Sequence, residues 1–160
     1  NNKIFHIKDG SISPSIKFDD GKRLLEIKNQ LLEIINQYNP KMSVIEKIFV
    51  GSGSISSLKL GMARGASMVA LAEAGLSIKE LSPKFIKKTV TGYGSASKEQ
   101  IKAMIEKLLN VIPKNEDSSD ALAIAISGQI IGHNSSFSFS DENNGLSLAI
   151  TKALLKEQNK

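Results

Sequence analysis

The sequence predicts an α/β domain, and three observations carry that reading. Apolar patterns of helical and strand-like type alternate along the chain as helix, strand, helix, strand, helix. The two clearest strand candidates are short apolar runs closed by Gly, Ser or Pro, as expected of buried strands. The 160 residues are 41% hydrophobic, enough for one domain to build a core without covalent staples.

The elements follow in order. KIFHIKDGSISPSI has β-branched and aromatic residues punctuated by Gly10 and Pro14, and predicts a strand or hairpin arm over Lys3–Ser13. From Asp20 to Tyr38, Leu24, Leu25, Ile27, Leu31, Leu32, Ile34 and Ile35 recur at helical spacing, with Pro40 just beyond. MSVIEKIFV is a buried-strand candidate interrupted by Glu46. Ser56 to Glu73 is a helix rich in Gly61, Ala63, Gly65, Ala66 and Ala70, small residues that let another backbone approach closely. LSIKELSP predicts a strand ended by Pro83, and PKFIKKTV a short basic helix. TGYGSASKEQ is a loop, whose Ser97 and Gln100 form a capping box for a helix reaching Asn110. After a turn over Pro113–Glu116, Ser118 to Ile131 is the last core helix. Residues 1–134 are therefore read as one domain, and 135–160 as a polar extension with a possible terminal helix.

A formal charge of +5 and a pI near 9.4 suit an anionic partner, nucleic acid above all. With no cysteine, a disulfide framework, a thiolate metal site and a cysteine nucleophile are excluded, which fits a reducing cytoplasm. No run is long and apolar enough to span a membrane, and no signal peptide is evident. A start at Asn1 and Asn2 instead of Met suggests that residues ahead of them have been removed.

Three carboxylates stand out. Glu46 lies inside an apolar strand and loses hydration unless a cation, a lysine or solvent at a sheet end compensates it. Asp117 and Asp120 in EDSSDALAIAI share one helical face at the positive end of the helix dipole, where ordinary N-terminal acids also gather. If the three converge they form an all-oxygen site, which favours Mg²⁺, with Mn²⁺ as a substitute, over zinc or copper. In a basic protein such a site suits phosphodiester hydrolysis.

The runs VIEKIF, SLKLGMARG, KKTVTGYGSASKEQI and DSSDALAIAI, in this order and at these intervals, resemble the RuvC family of Holliday junction resolvases, the crossover junction endodeoxyribonucleases. The resemblance extends from Lys3 to Ile131. It implies a ribonuclease H-like mixed sheet flanked by helices, a homodimer, and Mg²⁺-dependent nicking of two opposing strands of a four-way DNA junction in recombination and repair. A branch-migration helicase is the implied working partner. Glu46 matches the glutamate of the family's VIE motif, and Asp117 and Asp120 match the aspartates of its DxxDALA motif. Phe49 falls where the family places an aromatic that stacks on an unpaired base, although a phenylalanine at a strand end also suits a core. Lys87 and Lys98 match basic positions near the scissile phosphate, and Lys88 adds charge beside them. The small-residue helix matches the family's dimer helix.

The family's opening strand, with its DPG aspartate as first metal ligand, and the second strand are not found ahead of Asn1. The expectation is a chain shortened at its start, with weakened metal binding and poor or absent activity. Two other readings stay open: a junction-binding or dimerisation module without cleavage, and another ribonuclease H-like nuclease acting on a different structured nucleic acid.

Overall fold

The computed structural model describes residues 4–48 and 55–133, the last without its side chain. The elements are α1 (Asp20–Tyr38), β1 (Ser43–Glu46), α2 (Ile55–Glu73), β2 (Ile78–Leu81), α3 (Pro83–Thr91), α4 (Lys98–Leu109) and α5 (Glu116–His133). They divide into two compact units, one of residues 11–80 and one of residues 1–10 with 81–160.

In the 11–80 unit, α1 begins where the Asp19 carboxylate accepts from the Lys22 N–H at 2.9 Å. It ends where Asn39 turns left-handed, φ 44°, and donates its N–H to Ile35. The helix lies against α2, fastened by a Lys28–Glu73 ion pair at 2.7 Å. Of its apolar stripe Ile35 is buried, while Leu25 and Ile34 face outward. β1 and β2 pair as a small parallel sheet, the strands joined across α2. The Ser77 carbonyl accepts from both the N–H (3.2 Å) and the hydroxyl (2.8 Å) of Ser43, which fixes the register at its start.

In the other unit α3, α4 and α5 pack on one another. Each has a definite start. Ser82 caps α3 by accepting from the Phe85 N–H, and Pro83 supplies the preset first turn. Ser97 and Gln100 form the expected capping box, their reciprocal bonds 2.9 and 3.3 Å long. The Asn115 side chain accepts from the Ser118 N–H at 2.8 Å, so α5 starts at Glu116, two residues earlier than the apolar pattern suggests. Ile86 and Val90 of α3, Ile101 and Ile105 of α4, and Leu122 and Ile126 of α5 form the core.

The strand expected over Lys3–Ser13 is not present among the described residues. Residues 4–13 have no regular structure, because a strand needs a ladder and the described sheet contains only β1 and β2. Side chains hold the segment instead. His6 Nε2 lies 2.9 Å from Asp9 Oδ1, and Asp9 Oδ2 accepts the Lys114 N–H at 3.5 Å. The mixed sheet is likewise reduced to a parallel pair. The extension read over 135–160 lies outside the described residues.

Candidate active site

Asp117 and Asp120 are both exposed, while Ser118 and Ser119 between them are buried. The Asn115 cap explains the division: it fixes the first turn so that the serines face the helical core and the aspartates face out. Asp117 lies in the first turn, where unpaired N–H groups favour negative charge; Asp120 is one turn further along the same face.

Lys98 is brought to this turn. Its Nζ is 3.4 Å from Glu116 Oε2, so the first residue of α4 meets the first residue of α5. Lys87 and Lys88 are half-buried on α3. The loop after them is fixed by its own backbone. The Thr91 hydroxyl donates to the Lys87 carbonyl at 2.8 Å and accepts from the Tyr93 N–H at 3.2 Å, and Gly92 closes α3 at φ 84°. A Cβ on Gly94 would come within 3.0 Å of the Lys84 side chain, so glycine there lets the Lys84 stem lie along the loop. Five of the sequence-predicted residues thus belong to one unit: Lys87, Lys88, Lys98, Asp117 and Asp120. Glu46, half-buried as the last residue of β1, belongs to the other, and Phe49 lies outside the described residues.

Two further residues, one in each unit, were not singled out by sequence reasoning. Asp9, its side chain 8% exposed, lies beside the turn that leads into α5. Burial pushes its carboxyl upward, but hydrogen bonding from Ser118, from the Lys114 N–H and from His6 outweighs burial and leaves it below the usual aspartate range. Ser118 itself is fully buried. The second is Arg64 of α2. Its Nη2 meets Glu80 Oε2 at 2.5 Å, its Nε donates to the Glu46 carbonyl at 3.5 Å, and its Nη1 lies against the Met68 sulfur. No spacing rule in the sequence connects residues 46, 64 and 80.

Glu46, Asp117 and Asp120 each offer only carboxylate oxygens, donors of the kind that a hard cation takes. Among the described residues no group of three or more His, Asp or Glu side chains lies close enough together to hold a metal ion.

Against known proteins, the family model described as crossover junction endodeoxyribonuclease RuvC matches residues 1–128. The chain belongs to the RuvC family. RuvC of Ruegeria pomeroyi is 43% identical over 125 residues, spanning 78% of this chain and 75% of that protein. RuvC of Rickettsia akari is also 43% identical over 125 residues, spanning 77% and 80%. Among solved structures, Thermus thermophilus RuvC matches with a TM-score of 0.68 at 27% identity, covering 76% of this chain and 75% of that one. T. thermophilus RuvC in complex with a Holliday junction substrate matches with a TM-score of 0.70 at 28% identity, covering 76% and 74%. The structural neighbours of the chain therefore have the ribonuclease H-like fold of RuvC.

Proposed function

We propose that this chain is a Holliday junction resolvase, a structure-selective endonuclease that hydrolyses phosphodiester bonds in two opposing strands of a four-way DNA junction. The observation that carries the reading is the start of α5. There the paired, outward-facing Asp117 and Asp120 stand beside Lys98, held at Glu116, in a chain that belongs to the RuvC family. Asp117, Asp120 and Glu46 are the residues that would hold Mg²⁺, or Mn²⁺ in its place, completed by oxygens that the described residues do not supply. Bound metal would stabilise negative charge developing on the phosphate. Lys87, Lys88 and Lys98 draw the phosphodiester backbone toward the carboxylates, and the fixed Thr91–Gly94 loop presents backbone to it without a cost of ordering. Phe49 is assigned to stacking on a base near the crossover.

The functional unit is a homodimer joined through α2. Leu58, Gly65 and Val69 are exposed at spacings of seven and four on one helical face, and added Cβ atoms on Gly61 and Gly65 would meet nothing within 4 Å. Those glycines thus answer to no contact inside the described chain. A branch-migration helicase and a cytoplasmic setting complete the reading; no helix of the described residues is long and apolar enough to cross a membrane.

The test pairs binding and cleavage gels on a labelled four-way junction with and without Mg²⁺. Asp117→Asn is expected to keep junction binding and lose at least about a hundredfold in metal-dependent nicking. If the unaltered chain binds junctions yet makes no nicks in any divalent metal, it is a junction-binding module instead. If linear duplex competes as well as the junction, it is a nuclease of another specificity.

A further inference from the structure

We propose that Tyr93 is a stacking contact for DNA, its ring seated on an unpaired base of the strand whose phosphates the neighbouring lysines hold. The inference rests on the reading of the chain as a junction nuclease and adds a side chain to it, where that reading used only the backbone of this loop. Tyr93 is 73% exposed, yet the backbone that carries it is held on both sides. Its N–H donates to the Thr91 hydroxyl at 3.2 Å, and its carbonyl accepts the Ala96 N–H at 3.3 Å, which closes a turn over residues 93–96. Ala96 is 3% exposed and roots that turn in the core. Gly92 before the tyrosine is left-handed, φ 84°, and Gly94 after it lies against the Lys84 stem, where a Cβ would come within 3.0 Å. A tyrosine on a fixed backbone has only its own side-chain torsions left to order, so it presents a flat apolar surface at small entropic cost.

The charge around the loop points to the partner. Lys87 and Lys88 follow Lys84 by three and four residues, so the three share one side of α3, the helix that runs into the loop. Lys98 opens α4 directly after the Ser97 cap, where the turn ends, and its Nζ lies 3.4 Å from Glu116 Oε2. Tyr93 thus stands in the chain between a basic stripe and the helix start that meets α5. Lysines take phosphates and leave bases unread, whereas every base has a π-face that an aromatic ring can cover. Inside a duplex both faces of a base are already stacked, so the contact needs a nucleotide opened where the strands exchange.

The experiment measures binding of the full chain to a labelled four-way junction in EDTA over a range of salt, with single abasic residues placed in turn around the crossover. Tyr93→Ala is expected to weaken binding about tenfold, the scale of one lost stack, while Tyr93→Phe stays within about twofold of the parent. Tyr93→Leu, which keeps bulk without a π-face, loses as much as Tyr93→Ala. The salt slope is unchanged in all three, because the ring neutralises no phosphate, whereas Lys87→Ala lowers it by about one. At one abasic position the parent loses about tenfold and Tyr93→Ala loses nothing further, the mark of a shared contact. The proposal is overturned if Tyr93→Ala binds as the parent does, if Tyr93→Phe loses as much as Tyr93→Ala, if the loss comes with a lower salt slope, or if no abasic position is silent in Tyr93→Ala alone. Should Tyr93→Ala fail to fold, Tyr93→Leu decides: parent affinity overturns the proposal. If the parent itself does not bind junctions, the junction-nuclease reading fails and takes this inference with it. Junction binding that Lys87→Ala weakens and Tyr93→Ala does not sinks the inference alone.

Discussion

The two compact units solve the burial problem differently. In the α3–α4–α5 unit every helix gives side chains to a shared core, and Ile105 is fully buried. Among the described residues of 11–80, only Ile35, Ser43, Ala70 and Leu71 are buried, while Ile55, Leu58, Leu60 and Val69 of α2 stand exposed. Among the described residues, the first unit has a shared core, and the second leaves apolar residues of α2 exposed. Exposed apolar residues on a helix with open glycines are what the proposed dimer face would use, and the contrast separates them from the residues that build the described core.

The largest expected effect probes the finished side. Ile105→Ala should cost about 2–5 kcal/mol of stability in urea unfolding, through lost burial and the cavity left behind. Leu58→Ala, 65% exposed at its parent residue, should stay within about 0.5 kcal/mol for the monomer while lowering dimer content in sedimentation. Equal losses at the two positions would erase the distinction between the units.

A smaller effect is expected at a helix start. Ser97→Ala removes one half of the capping box of α4 and should lower stability by about 1 kcal/mol. It also takes a hydrogen bond from Glu99, whose carboxyl lies below its ordinary range chiefly because of Ser97 and then its own backbone N–H. The smallest effect concerns pH. Because the Asp9 carboxyl is depressed in the folded chain, its contribution is whole above the ordinary aspartate value and is lost as pH falls through the lower folded value. Asp9→Asn should therefore lower stability at neutral pH, where the contribution is whole, and converge with the parent at low pH, which flattens the acid limb of stability against pH. An unchanged acid limb would mean that Asp9 does not anchor residues 4–10 to the turn before α5.

Legibility in the sequence followed locality. The helices were readable because spacing, Pro83, Pro40 and the Ser97–Gln100 pair act within a few residues, and each stands where the pattern placed it within about two residues. β1 and β2 were readable as apolar runs between breakers, although both are shorter than the runs suggest. The Lys3–Ser13 strand failed because strand propensity does not guarantee a partner, and the segment is held by side-chain bonds of its own. The acidic motif was legible from its spacing, yet Asp120 is one turn beyond the first turn because Asn115, not Asp117, opens the helix. Asp9 and Arg64 were illegible for one reason. Their partners are Lys114 and Ser118 in one case, Glu46 and Glu80 in the other, and only the folded chain brings those together.

The helix α2 is nineteen residues long and unbroken among its described residues, so it moves as a stiff rod. One side of that rod is the open apolar face, and from another side Arg64 grips the end of β1. Both features are carried by one continuous helix, so a substitution on its exposed face and one at Arg64 alter the same element.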